Sequence, residues 1–92
     1  MIQIVLSIRD TKAELFLAPF FVPTLGVAYR DIAAEIARGG DQNQLSLFTK
    51  DFELWQLGTF DSETGVLDGN APGGNQFPSK VCDVSALAVP RE

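Results

Sequence analysis

The chain has 92 residues, 46% of them hydrophobic and 21% charged, which is enough for one small globular domain. Its net charge of −5 argues against a polybasic nucleic-acid binder, since such proteins gain their affinity from many phosphate contacts. The sequence contains no histidine, so the commonest general base and the commonest metal ligand are excluded. Because a domain of this size has a small core, the composition favours a homodimer.

The first ten residues, MIQIVLSIRD, predict a β-strand. The even-numbered positions from Ile2 to Ile8 are all apolar and would lie on one face, whereas the odd-numbered positions from Gln3 to Arg9 would lie on the other. The run has neither a basic flank nor a cleavage site, so we do not interpret it as a signal peptide. A short second strand can follow near residues 15–17, and Pro19 restricts it to an edge position.

The segment LAPFFVPT places two adjacent phenylalanines between two prolines. Adjacent side chains of an extended segment point to opposite faces, so one ring is expected in the core and the other outside it. We assign Phe20 to the core and Phe21 to the surface. The prolines hold the bend rigid, so an exposed ring would lose little entropy on binding a partner.

The next segment, LGVAYRDIAAEIARGG, predicts the main helix at about residues 25–38. Thr24 is a suitable N-cap, and Ala28, Ile32 and Ile36 recur at helical spacing as an apolar stripe. The two glycines that follow favour the left-handed backbone conformation that ends a helix. This is the best-defined helix in the sequence.

The second half of the chain predicts further strands. DFELWQLGTF and VLDG, joined by the turn DSETG, have the pattern of a β-hairpin, and the residues expected on one face of its first strand are Phe52, Leu54, Gln56 and Gly58. Residues 70–79 predict a mobile loop. KVCDVSALAV predicts a last strand with an apolar face formed by Cys82, Val84, Ala86 and Ala88. The order of elements indicates an α+β fold, a small antiparallel sheet with one main helix in a single domain over residues 1–92.

Catalysis is not expected from these residues. Without histidine no Ser-His-Asp or Cys-His arrangement can form, and the single cysteine, Cys82, is better explained as a small buried apolar residue. Asp61, Glu63 and Asp68 lie close in sequence, but they lack the spacing of a calcium loop and are typical turn residues. We therefore predict a protein that is not an enzyme and needs no metal or cofactor.

The remaining candidates for function are cations and aromatic rings. Proteins that bind single-stranded nucleic acid combine cations along the backbone path with aromatic faces for the bases. The residues that could do so here are Arg9, Lys12, Arg30 and Lys50 for phosphates and Phe21 and Trp55 for bases. The simpler interpretation assigns the rings to the core and the cations to a solvated surface. A basic face should draw mainly on residues 1–46, which hold five acids and four bases, whereas the rest holds seven acids and three bases.

Four short motifs occur in an order and spacing that resemble a known family. They are DTKA at residues 10–13, PFF at 19–21, GVAYRD at 26–31 and DFELWQLGTFDSETG at 51–65. In this order they resemble the small nonstructural protein of gokushovirus-type microviruses, which are tailless phages with single-stranded DNA genomes. The resemblance covers residues 2–69 and does not extend to the C-terminal part.

The resemblance implies a role in viral genome replication, at the stage when single-stranded progeny DNA is made in the host cytoplasm. The family is described as DNA-binding or replication-associated, and no catalytic residue is known for it. The predicted function is therefore single-stranded DNA binding by a non-catalytic homodimer. The acidic net charge argues against stoichiometric coating of a genome more than against local binding.

An alternative function remains open. The chain could be a protein-interaction module that regulates a viral or host replication protein, such as a replication initiator, without touching DNA. Phe21 and Trp55 would then anchor a protein interface. No membrane partner is expected, because no apolar run reaches transmembrane length.

Overall fold

Two long antiparallel strands form the centre of the sheet. The computed structural model describes residues 1–70 and 76–88, and in it β1 (Ile2–Asp10) pairs along its whole length with β4 (Phe52–Asp61). The outer edge of β1 pairs with two short strands, β2 (Leu15–Phe16) and β3 (Phe20–Val22). The outer edge of β4 pairs with β5 (Leu67–Asp68) and β6 (Ser79–Asp83). Every one of these pairings is antiparallel, so the predicted sheet and its hairpin are confirmed.

One main helix packs on this sheet, as the sequence predicts. The helix α1 (Leu25–Arg38) begins after Thr24, whose side-chain oxygen accepts a hydrogen bond from the backbone N–H of Val27 at 3.3 Å. It ends at Gly39, which has a φ of 65° and donates its backbone N–H to the carbonyl of Ile36. The α+β class and both ends of this helix are confirmed.

The core lies between α1 and the side of the sheet that we call the inner face. Its buried residues come from the central strands, β3, α1 and the C-terminal part: Leu6, Ile8, Val22, Ala28, Ile32, Phe52, Leu54 and Val84. Phe20 packs against this core, whereas Phe21 is 47% exposed. The assignment of one ring inward and one outward in LAPFFVPT is therefore confirmed.

A β-bulge in β4 reverses which side chains of its second half point to each face of the sheet. Val5 pairs with Gly58 but Leu6 pairs with Gln56, so Leu57 is an extra residue that has no partner on β1. The prediction that Gly58 shares a face with the even-numbered residues before it is therefore wrong. The physical reason is local, because one inserted residue reverses the alternation for the rest of the strand.

At the bulge, the chain around β5 comes close to the backbone of β4. A Cβ atom added at Gly58 would lie 2.2 Å from the carbonyl oxygen of Asp68. Real Cβ atoms do not approach backbone oxygen so closely, so glycine is the residue that fits here. The close approach fixes where the hairpin crosses the side of the sheet opposite α1.

The C-terminal part also departs from the predicted pattern. β6 ends at Asp83, and Val84–Leu87 form a 3₁₀ helix instead of the second half of a strand. This change of conformation places the fully buried Val84 in the core, where the 3₁₀ helix contacts α1. The predicted last strand is correct only as far as Asp83, because the alanine-containing segment after it has weak β-propensity. Residue 89, the end of the predicted strand, lies outside the described residues.

Two segments outside the main helix and the long strands contain local structure. The polar stretch after α1 forms a short helix, α2 (Gln44–Leu47), capped by the side chain of Asn43, and then a 3₁₀ turn (Thr49–Asp51). Of the predicted mobile loop at 70–79, residues 71–75 lie outside the described residues, and Asn70 forms an isolated bridge with Gln76. Among the described residues, no helix is both long and apolar enough to cross a lipid bilayer.

Both edges of the sheet are interrupted. On the β1 side, residues 17–19 separate β2 from β3, and Pro19 has no backbone N–H to donate. The buried hydroxyl of Ser7 lies beside this break and donates to the carbonyl of Leu17 at 2.6 Å. On the other side, β5 and β6 are likewise separate pieces. Within residues 1–70 and 76–88, each edge therefore consists of two short strands.

Candidate nucleic-acid interface

The side of the sheet opposite α1, which we call the open face, carries two pairs of aromatic rings. Directly paired residues of a sheet place their side chains on the same side, so the register identifies the residues of this face. They are Gln3, Val5, Ser7 and Arg9 on β1, Glu53, Trp55, Gly58 and Phe60 on β4, and Phe16, Phe21, Leu67, Lys80 and Asp83 on the flanking strands. The four aromatic rings form two edge-to-face pairs. This face is therefore the candidate functional site.

The first aromatic pair lies among charged groups, and we call this region the charged end. The ring centroids of Phe16 and Trp55 lie 5.6 Å apart at an interplanar angle of 84°. The guanidinium carbon of Arg9 lies 5.8 Å from the centroid of the Phe16 ring, which is within the range of a cation–π contact. A cation and two rings are thus held together by three different strands.

Two further predicted cations lie beside the charged end. The backbone N–H and the hydroxyl of Thr11 both donate to the carbonyl of Asp51, at 2.9 and 2.8 Å. These bonds hold the turn after β1 against the 3₁₀ turn that precedes β4. The exposed Lys12 and Lys50 belong to these two turns, so they lie at the same end of the sheet as Arg9.

A carboxylate positions the indole of Trp55. The indole N–H donates to Oε1 of Glu53 at 3.1 Å, and Oε2 of Glu53 lies 3.1 Å from the ammonium nitrogen of Lys80. Lys80 also contacts the carboxylate of Asp83 at 2.7 Å. The hydrogen bonds from Trp55 and Lys80 lower the pKa of Glu53, and those from Lys80 to Asp83 and Glu53 raise the pKa of Lys80. Charges of both signs therefore offset each other beside the Trp55 ring.

The second aromatic pair lies in an apolar region, which we call the apolar end. The rings of Phe21 and Phe60 lie 5.5 Å apart at an angle of 70°. Beside them, Val5, Leu57 and Leu67 line a shallow cleft of about 300 Å³, and Leu67 is 66% exposed. This end offers apolar surface, whereas the charged end offers rings and ions.

One predicted site residue lies in the other layer of the molecule. Arg30 is on α1, its side chain is 77% exposed, and its Nε lies 3.8 Å from the carboxylate of Asp31. Because α1 packs on the inner face, the sheet separates Arg30 from the open face. The structure therefore brings together Arg9, Lys12, Lys50, Trp55 and Phe21 on or beside one face, and it does not bring Arg30 to them.

Five aromatic or charged residues of the open face were not among the predicted site residues: Phe16, Glu53, Phe60, Lys80 and Asp83. The strand pattern contained a signal for Phe16, since it alternates with two leucines in a segment next to the first strand. The position of Lys80 depends on the register between β6 and β4, which includes a bulge between Leu54 and Trp55. No local pattern in the sequence defines that register.

The other chemically reactive groups have structural roles. Cys82 is partly buried against the core, and this burial raises the pKa of its thiol. Asp61 and Asp68 each accept a backbone N–H from the residue two positions later, as expected for turn residues. Within the part of the chain that the structure describes, no three potential metal ligands come together.

Comparison with known proteins identifies the family. A family model described as Phage ORF5 protein matches residues 3–87, a range that includes every residue of the open face. Searches of curated proteins and of solved structures found no significant match. The chain therefore belongs to the Phage ORF5 protein family and is a bacteriophage protein.

Proposed function

We propose that this phage protein binds single-stranded DNA during genome replication, without catalysing a reaction, and that the DNA lies on the open face. The observation that carries the proposal is the charged end. There, the Phe16–Trp55 pair lies beside Arg9, and Lys12 and Lys50 lie at the same end of the sheet. Single-strand binders need this combination, because cations follow the phosphates while aromatic rings stack on bases of any sequence.

The arrangement also answers the objection raised by the acidic net charge. The protein as a whole repels DNA, so binding must depend on a local surface with a favourable potential. Arg9, Lys12 and Lys50 place three cations at one end of the sheet, where Asp10, Asp51 and Glu53 also lie, so binding would depend on individual cation–phosphate contacts. This favours binding of a short stretch of DNA over continuous coating of the genome.

Resemblance to the nonstructural protein of gokushovirus-type microviruses supports the same proposal. Those phages have single-stranded DNA genomes, and membership of the Phage ORF5 family is consistent with a phage role. We propose that the activity belongs to the host cytoplasm, at the stage when single-stranded progeny DNA is made. We also propose that the active form is a homodimer.

The experiment that tests DNA binding is a polarisation titration of a labelled oligo-dT at two salt concentrations. Tight binding at low salt that weakens steeply at high salt is expected, because each phosphate contact releases counterions. The matched control is the same titration with a double-stranded oligonucleotide, whose stacked bases cannot reach the rings. Absence of binding to oligo-dT at low salt would overturn the proposal.

A second candidate function is favoured by the apolar end. Phe21 and Leu67 are exposed apolar residues beside the half-buried Phe60, and among the described residues Asp68 is the one charged residue that lines their cleft. Such a surface suits a protein partner, such as a replication initiator, better than a phosphate backbone. Binding to a purified initiator that hardly changes with salt, together with no oligo-dT binding, would favour this function.

A further inference from the structure

The charged end contains an acid and a base whose positions suggest competition with DNA. Glu53 lies between Arg9 on β1 and Asp83 on β6 in the register of the sheet. Its side chain is 22% exposed, and both of its oxygens are engaged, one by the indole N–H of Trp55 and the other by Lys80. The side chain of Lys80 is 40% exposed, and its ammonium nitrogen contacts Asp83 at 2.7 Å as well as Glu53 at 3.1 Å, so a phosphate that displaced Glu53 would share Lys80 with Asp83.

We propose that Glu53 occupies the place of a DNA phosphate in the free protein, and that Lys80 is a further phosphate-binding residue that becomes available when DNA displaces the carboxylate. This inference rests on the proposed function of the open face. It adds Lys80 to the DNA site and gives Glu53 a regulatory role, because Glu53 sets how much of the local positive charge is available.

The geometry supports displacement instead of a permanent ion pair. Ion pairs at this degree of exposure contribute little stability, so exchanging one oxygen anion for another costs little. A phosphate oxygen presents the same kind of acceptor as a carboxylate oxygen, and Lys80 binds either as a point charge. Because Lys80 directly opposes Trp55 in the register of β6 and β4, a base stacked on the indole would bring its own phosphate close to Lys80.

Glu53 links the ring of Trp55 to the cation Lys80, because it contacts both. The same carboxylate that engages Lys80 holds the Trp55 indole by a hydrogen bond of 3.1 Å. Gln in place of Glu53 would keep an oxygen that can accept this hydrogen bond, and it would remove the negative charge. Glu53→Gln therefore separates the charge of this residue from its positioning of the ring.

The test is a double-mutant cycle with oligo-dT, using wild type, Glu53→Gln, Lys80→Gln and the double variant. Glu53→Gln should bind about two- to fivefold more tightly, the range that an exposed ion pair provides. Its salt slope should become steeper by about 0.7, the value for one additional phosphate contact on a single strand. In the Lys80→Gln background the same Glu53→Gln change should have little effect, and Lys80→Gln alone should weaken binding.

The control is Glu63→Gln, which makes the same change of charge in the exposed turn between β4 and β5. Thermal melts of all variants establish that each is folded, and the fluorescence of Trp55, the only tryptophan, reports whether DNA still reaches the ring.

Equal tightening by Glu53→Gln with and without Lys80 would overturn the inference, since Glu53 would then act through net charge alone. Unchanged affinity of Glu53→Gln would also overturn it while leaving the proposed function intact. If the wild type does not bind oligo-dT, the proposed function and this inference are both overturned.

Discussion

The two faces of the sheet are built from the same two central strands, yet they differ in how their apolar side chains are used. On the inner face, Leu6, Ile8 and Leu54 are buried beneath α1. On the open face, the rings of Phe16 and Phe21 pair with other rings and remain partly exposed. Exposed aromatic surface of this kind adds little to folding, so the comparison indicates that stability resides mainly on the inner face.

The largest expected effect is a loss of stability when a charge is placed on the inner face. Ile32→Asp places a charge among the buried residues of α1, and this should lower the free energy of unfolding by more than about 3 kcal/mol. Circular dichroism melts measure the loss. Ala34→Asp is the matched control, because Ala34 is exposed on the same helix and should tolerate the change. Similar melting of the two variants would mean that the inner face is not the stabilising one.

The next effect concerns the point where the hairpin crosses the open face. Gly58→Ala should destabilise the fold by about 1–3 kcal/mol, because the added Cβ would meet the carbonyl oxygen of Asp68 and force the backbone apart. Urea denaturation gives the difference in free energy. Gly69→Ala is the control, since an added Cβ there has no atom within 4 Å. Equal stability of Gly58→Ala and wild type would contradict the close approach.

Replacing single rings tests which end of the open face binds DNA. Phe16→Leu and Phe21→Leu keep apolar volume but remove an aromatic face, and each ring that stacks on a base should cost about 1–3 kcal/mol of binding with little change of salt slope. Oligo-dT titrations measure this loss. We expect the larger loss for Phe16, which lies among the cations. A loss for Phe21 alone would move the DNA to the apolar end.

Removal of cations should give a smaller effect for each residue. Lys12→Ala and Lys50→Ala should each flatten the salt slope by about 0.7, the value per phosphate contact on a single strand. Arg30→Ala should leave the slope unchanged, because α1 carries this residue on the other side of the sheet. Oligo-dT titrations of the three variants at several salt concentrations measure these slopes. A flatter slope for Arg30→Ala would show that the DNA contacts the helix layer.

The smallest expected effect is a pH dependence of stability at the charged end. Because folding lowers the pKa of Glu53, its contribution to stability is present above the pKa of the unfolded chain and is lost as the pH falls through the folded value. Glu53→Gln should therefore melt slightly below wild type at neutral pH, and the difference should shrink in acid. Melting curves across this range measure it. A difference that stays constant or grows as the pH falls well below the ordinary pKa of glutamate would contradict the lowered pKa of Glu53.

The sequence predicted the inner face well because burial imposes strict periodicity. The apolar alternation of β1 and the stripe containing Ala28 and Ile32 both follow directly from packing against one core. The division of Phe20 and Phe21 between two faces follows from the same rule. In these segments one local pattern determines the structure.

The open face was harder to predict because its composition depends on register. The extra residue Leu57 reverses the facing of Gly58, and the pairing of Lys80 with Trp55 depends on a second bulge. The first bulge has one local signal, the isolated Gly58 inside a strand pattern, whereas the second has no comparable signal in its own strand. The sequence therefore predicted Trp55 and Phe21 as site residues but could not show which cations and rings would be their neighbours.

The interrupted edges bear on aggregation. Long unpaired edge strands are templates on which further chains add, as in fibrils. Here, one edge is broken at Pro19 into pieces of two and three residues, and the other is divided between β5 and β6, the latter with Lys80 and Asp83 near its ends. A strand added to either edge would find only a few consecutive hydrogen-bonding partners. The short edge strands therefore oppose fibril-like growth of further chains along either edge.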